Sequence, residues 1–291
     1  MADETLEYTT PFQLTKTIRR DPYDAISPTN PELSAAGKVI IITGGGSGLG
    51  AAAAEVWARA GAEGIVVAGR RLANLEETVS KLQAINNGKT KTIAIQADLA
   101  KDAEVANLFA ETLKTFGRSP DVVLANAGVL IEGKVGETSP DEWWDAMYFI
   151  KTQPDPESPR GTFMVTNSGL AGVIVPRVSA YAVSKLGAQR VVEYLHLEYP
   201  TLRSFTLLPG VAKTPMLAGQ FLKFGLDHVD MTGMLALYLS TSRAEFLRGG
   251  LTSVNWDIEE TEAHKEEILA GRLLDLKWVQ ILPAGGGRGF E

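Results

Sequence analysis

Apolar residues in this chain gather into short unbroken runs, separated by longer stretches of helical periodicity. KVIIIT (38–43), GIVVAG (64–69), TIAIQA (92–97) and DVVLANAG (121–128) have strand length and no polar alternation, the pattern of strands covered on both faces. Between them lie AAAAEVWARAG (51–61), LANLEETVSKLQAI (72–85) and DAEVANLFAETLKTF (102–116), rich in residues that favour helix. Further along, GTFMVTNS (161–168), SFTLLP (204–209) and GGLTSVNW (249–256) read as strands. VSAYAVSK (178–185) opens a helix that runs to about Glu198, and MTGMLALYLS (231–240) forms another. This alternation predicts an α/β fold, a Rossmann-like doubly wound parallel sheet flanked by helices.

Residues 1–37 lack such periodicity and carry Pro22, Pro28 and Pro31. They read as an extended arm laid over the domain, with the basic run KTIRR a solvated flank. The core spans 38–256, with an apolar, glycine-bearing segment at about 213–230 placed as a substrate lid. The charged tail, 257–291, belongs to the same domain, and its AGGGRGF end reads as a loose terminus.

Composition narrows the function classes. The 291 residues are 45% hydrophobic, enough for one large domain with ample core. The net charge of −7 and pI near 5.2 argue against nucleic acid or an anionic membrane as partner. There is no cysteine, and His196, His228 and His264 show no ligand spacing, so neither a disulfide nor a metal site is expected. No apolar run reaches the roughly 18 residues of a membrane span. MADETLEY is neither a secretory nor a mitochondrial leader, and the default expectation is a cytoplasmic protein.

The chemistry-bearing residues fall at the ends of the expected strands. GGGSGLG (44–50) stands between the first strand and the first helix. Glycines there let backbone approach a pyrophosphate, and the helix N-terminus attracts it. Gly44, Ser47, Gly48, Leu49 and Gly50 are therefore cofactor candidates, although Gly44-x-x-x-Gly48-x-Gly50 differs from the G-x-G-x-x-G spacing. The second strand ends at Gly69 and is followed by Arg70 and Arg71. Arginine at this edge suits a 2′-phosphate, where a carboxylate would suit a 2′-hydroxyl, so NADP(H) is the expected cofactor. Asp98, next to Leu99, is placed to accept from the adenine amino group, to N-cap the next helix, or both. Asn126, Ala127 and Gly128 leave room for a nicotinamide ribose. Pro209, Gly210 and Val211 form a turn that can pack on the nicotinamide, with Thr214 near its carboxamide.

Tyr181 and Lys185 are four residues apart, on one helix face. An ammonium near a phenol favours the phenolate and draws its pKa down from about 10, which suits a general acid/base at neutral pH. Ser168 supplies a hydroxyl for a substrate oxygen.

These pieces, TGGGSGLG, AGRR, Asp98-Leu99, NAG, Ser168, Tyr181-x-x-x-Lys185 and PG-V-x-x-T, resemble the short-chain dehydrogenase/reductase family in its single-domain form. FQLTKTIRRDPY and VNWD resemble a fungal branch of it, and the aromatic and apolar lid suggests a hydrophobic substrate of secondary metabolism. The resemblance implies that Tyr181 is the general acid/base, that Lys185 tunes it and bonds the nicotinamide ribose, and that Ser168 orients the substrate carbonyl. Hydride would pass between nicotinamide and a ketone or secondary alcohol of a hydrophobic small molecule. Alternatives are non-redox chemistry at the same site (isomerisation, cyclisation or elimination) and a catalytically impaired binding protein. The chain departs from the family at DEWWDAMYFIKTQPDPESPRGTFMV (141–165). The relay asparagine, expected about seven residues past a tryptophan, is replaced by Ile150 or Lys151, and Pro154, Pro156 and Pro159 follow. This predicts an altered proton relay and a homodimer lacking part of the family's usual helix interface.

Overall fold

The computed structural model describes residues 9–128, 149–217 and 219–277. The reference tryptophans Trp143 and Trp144 and the AGGGRGF segment lie outside them, whereas Ile150 and Lys151, at the expected relay position, lie inside.

Seven parallel strands form one sheet in the order β3-β2-β1-β4-β5-β6-β7. They are β1 (Val39–Thr43), β2 (Gly64–Gly69), β3 (Lys91–Gln96), β4 (Val122–Ala125), β5 (Thr162–Thr166), β6 (Arg203–Leu208) and β7 (Leu251–Ser253). The unbroken apolar runs have a direct cause. Successive side chains point to opposite faces, and both faces are covered. Ile40 and Ile42 join one buried cluster with Trp57 and Leu235, while Ile41 joins the other with Val105, Leu108 and Phe109. Helices α1 (Gly48–Arg59) and α2 (Leu72–Ala84) supply the crossovers of the first half together with α3 (Asp102–Phe116). Helix α4 (Ser179–Glu198) links β5 to β6, and α5 (Asp230–Leu239) precedes β7. Every residue of α5 after its first is buried, as befits a helix apolar all round. Two short helices, α6 (Ile258–Ala263) and α7 (Lys265–Gly271), close the described chain.

Two local expectations fail. The N-cap of α3 is Lys101 rather than Asp98. Asp98 Oδ1 instead accepts from the Ala100 N–H at 3.3 Å. Glu104, on the first turn of α3, reaches back to accept from the Asp98 N–H at 2.7 Å. The last strand is three residues long, because beyond Val254, whose N–H still donates to the Leu208 carbonyl, Asn255 and Trp256 bond to the arm instead.

The KTIRR run is not a solvated flank. Ile18 pairs with Trp256 in an antiparallel bridge, Arg19 binds Asp257 with its Nε 2.6 Å from Oδ2, and Arg20 Nη1 lies 2.9 Å from Asp227 Oδ1. Ile26 and Leu33 are buried in the cluster that holds Trp57. Among the described residues no helix is long and apolar enough to cross a membrane.

Candidate active site

At the C-terminal ends of β1 to β6 the sheet opens into a cavity of about 1420 Å³. That exceeds the roughly 300–1,000 Å³ of a typical small-molecule pocket and leaves room for a dinucleotide with a second, smaller molecule. It lies where the strand order reverses between β1 and β4, the usual ligand crevice of such sheets.

The cavity floor begins at β1. Gly44 turns with φ +67° and Gly48 with φ +54°, and a side chain on Gly44 would meet the Ala127 backbone at 3.0 Å. Gly44, Ser47, Gly48 and Leu49 line the cavity, and α1 begins at Gly48, inside the glycine-rich turn, so its first N–H groups have no partner within the helix. That arrangement fits a pyrophosphate. Gly50 is not among the residues that line the cavity. A Cβ there would collide with the Gly44 carbonyl and come within 2.7 Å of Asn126 Nδ2. The glycine is needed so that α1 can pack under the turn.

Arg70, Arg71, Asp98 and Leu99 line the far end. Arg71 Nη2 donates to Ser47 Oγ at 3.2 Å, so its guanidinium spans the mouth of the glycine turn. Arg70 is exposed, and its carbonyl accepts from Gln96 Nε2 at 2.9 Å.

Asn126, Ala127 and Gly128 form the rim beyond β4. What holds them is Thr43, a residue that sequence reasoning passed over. Its Oγ1 accepts from the N–H groups of both Asn126 and Ala127, each at 3.0 Å. Its carbonyl accepts from Asn126 Nδ2 at 3.0 Å. The only signal for it is its place as the last residue of a buried strand.

Opposite stand Ser168, Tyr181 and Lys185, all lining the same cavity. Lys185 is buried, and its Nζ donates to the Thr166 carbonyl at 3.0 Å while lying 5.6 Å from the centre of the Tyr181 ring. Asn167, also buried and also unforeseen, ties the group together. Its Nδ2 donates to the Lys185 carbonyl at 2.9 Å, and its Oδ1 accepts from the Ser168 N–H at 2.8 Å. Ser168 Oγ accepts from the Leu170 N–H at 3.2 Å, which occupies one lone pair and leaves the hydroxyl proton to donate elsewhere.

Pro209, Gly210, Val211 and Thr214 complete the wall after β6. The buried carboxylate of Asp227 anchors this turn, accepting from the Val211 N–H at 2.5 Å and from Asn255 Nδ2 at 2.8 Å. Burial pushes Asp227 above the usual carboxylate range, although Val211, Arg20 and Asn255 pull the other way. Residues 213–217 and 219–227 follow, with a 3-10 turn at Gly219–Phe224. Thr214, Pro215, Met216, Leu217 and Phe221 face the cavity. Among the described residues no group of three or more His, Cys, Asp or Glu side chains is arranged to hold a metal ion.

Comparison with known proteins places the chain among relatives of one family and fold. Residues 38–223 match the model of the short chain dehydrogenase family. The short chain dehydrogenase pigC of Monascus ruber is 31% identical over 290 residues, covering 92% of this chain and 94% of its own length. The short chain dehydrogenase mpl6 of Monascus purpureus is 27% identical over 274 residues, covering 86% of this chain and 94% of its own. The crystal structure of an NADPH-dependent 3-quinuclidinone reductase from Rhodotorula rubra shares the fold. Its TM-score is 0.68 at 24% identity, over 82% of this chain and 96% of that one.

Proposed function

Because the chain belongs to the short-chain dehydrogenase/reductase family of nicotinamide-dependent oxidoreductases, we propose that it is an NADP(H)-dependent reductase of an uncharged, hydrophobic ketone, or the reverse. The observation that carries this reading is the convergence of Ser168, Tyr181 and Lys185 on one cavity with the glycine turn and Arg71.

A bound nicotinamide would supply the hydride to the carbonyl carbon. The protein's own part is proton transfer and orientation. Ser168 holds its oxygen against the Leu170 N–H and directs its proton at the substrate oxygen. Tyr181 gives that oxygen its proton, acting as general acid in reduction and as base in oxidation. Lys185, fixed by the Thr166 carbonyl, keeps positive charge beside the phenol and favours the phenolate left behind. Arg71, turned toward Ser47, suits a 2′-phosphate through charge-assisted hydrogen bonds.

The charge pattern supports the substrate class. Among the described residues, the charged side chains lining the cavity are Arg70, Arg71, Asp98 and Lys185. The first three stand at the adenosine end, so among the described residues the substrate end offers an anionic or cationic substrate no partner apart from Lys185. A homodimer is the assembly we favour, since α4 carries an exposed stripe of Val183, Leu186, Tyr194 and Leu197. A monomer in gel filtration would refute it.

The functional test is oxidation of NADPH and of NADH by the purified enzyme with a panel of uncharged ketones. NADPH should be preferred, and Arg71→Ala should narrow the preference by about 10–100-fold, the worth of one or two bonds to a charged group. Preference for NADH, or an unchanged ratio in the variant, would refute the cofactor assignment. Cofactor binding without turnover of any ketone would refute the redox reading.

A further inference from the structure

The N-terminal arm reaches further into the molecule than a strap over the surface would. Its Thr9 and Phe12 line the same cavity as Ser168 and Tyr181. Phe12 lies against the turn that directly follows Ser168. A Cβ built on Gly169 would lie 2.6 Å from Phe12 Cε2, and one on Gly172 would lie 3.0 Å from Cε1. The ring therefore occupies the space that side chains at both positions would need. Glycine at 169 and 172 makes the seat for Phe12. The ring is only half-buried, so part of it stays open to the cavity.

The seat is also fastened. The Phe12 carbonyl accepts from Trp256 Nε1 at 2.6 Å. Further along the arm, Thr15 Oγ1 accepts from the Asp257 N–H at 3.0 Å, and the Arg19 N–H donates to the Asn255 carbonyl at 2.9 Å. Arg20 binds the Asp227 carboxylate that also anchors Val211. The arm and the turn after β6 thus share one buried carboxylate, and the arm's ring is held at a fixed place beside Ser168. Across the cavity mouth the segment after Thr214 contributes Met216, Leu217 and Phe221.

We propose that Phe12 is a specificity-determining residue. The arm supplies an aromatic wall to the substrate end of the cavity, against which a ring-bearing, uncharged ketone packs beside Ser168 and Tyr181. This rests on the reductase reading above. An aromatic ring contributes large apolar area with little rotamer freedom to lose, and ring-on-ring packing adds about 2- to 12-fold in affinity beyond area alone.

The test compares full-length wild type, Phe12→Ala and Phe12→Leu, with NADPH, on 2-acetonaphthone and on cyclohexanone. Phe12→Ala should lower kcat/KM for the aryl ketone by about ten-fold more than for cyclohexanone, mostly through KM. Phe12→Leu, which keeps apolar bulk and protects the fold, should fall between. Equal losses on both ketones would mean that the arm acts only as scaffold, and would overturn the proposal. No loss on either would overturn it as well. If wild type turns over neither ketone, the arm is judged by titrating 2-acetonaphthone into the NADPH complex and following nicotinamide fluorescence. Binding about ten-fold weaker in Phe12→Ala supports the wall, and equal binding, or none in wild type, overturns it.

Discussion

Thr43→Val removes one oxygen and little volume. Thr43 is about 1% exposed at the end of β1, and its Oγ1 is the acceptor for two successive backbone N–H groups, those of Asn126 and Ala127. Valine fills the same space and accepts nothing. A backbone donor left without a partner costs about 1–3 kcal/mol. Both N–H groups sit at the half-buried cavity rim, where water offers partial relief, so the lower half of that range applies to each. The expected loss is about 2–4 kcal/mol, or roughly 4–16 °C in Tm for a large domain. The rim formed by Asn126, Ala127 and Gly128 should also loosen and weaken NADPH binding several-fold. Thr43→Ser keeps the acceptor and removes a methyl group, worth about 1 kcal/mol, and should keep most of the affinity. Urea denaturation and NADPH fluorescence titration read both quantities. A valine variant within about 0.5 kcal/mol of wild type with unchanged NADPH affinity would refute the argument. So would a serine variant as impaired as the valine one.

Two other variants probe separate parts of the structure. Gly50→Ala drives a methyl group into the Gly44 carbonyl and toward Asn126. It should lower stability by about 1–3 kcal/mol by overpacking and weaken NADPH binding with it, as thermal unfolding and titration would show; a neutral Gly50→Ala would contradict the packing at that turn. Asp257 caps α6 through the Glu260 N–H at 2.9 Å and pairs with Arg19. Burial raises its pKa, but those two partners outweigh burial and hold it below the usual carboxylate range. Its contribution is therefore present above the unfolded value near 3.9 and is lost as pH falls through the lower folded value. Wild type should exceed Asp257→Asn in Tm by a constant margin from about pH 5 to 8. The margin should shrink below about pH 4, and one that widened in acid would contradict the assignment.

How much of this was legible in the sequence depended on the range of the cause. Strands β1 to β6 and the helices between them follow from local hydrophobic pattern, since each doubly covered strand must be apolar at consecutive positions. The site residues at strand ends were legible for the same reason: once the strands are placed, their C-terminal ends share one edge. The packing role of Gly50 was not legible, because a glycine needed for packing and a glycine needed for a ligand look alike in a motif. Asp98 was misread as a cap because Asp before a helix is a common signal, while the Glu104 carboxylate that reaches back to its N–H is a matter of three-dimensional geometry. The arm was the largest gap. Arg19 and Asp257 are 238 residues apart, and pairs at that separation leave no periodic trace. Phe12 and Asp227 act through such contacts, with Trp256 and Arg20, and nothing in their neighbours announces them.

The account's central claim is that the Tyr181 hydroxyl moves the proton in a site that holds its cofactor by other groups. The direct measurement is NADPH-dependent ketone reduction by Tyr181→Phe, with NADPH affinity taken on the same preparation. The account predicts a rate lower by about 10²–10⁴-fold, the usual contribution of a general acid, with NADPH affinity close to that of wild type. A phenylalanine variant that reduces the ketone at the wild-type rate would contradict it.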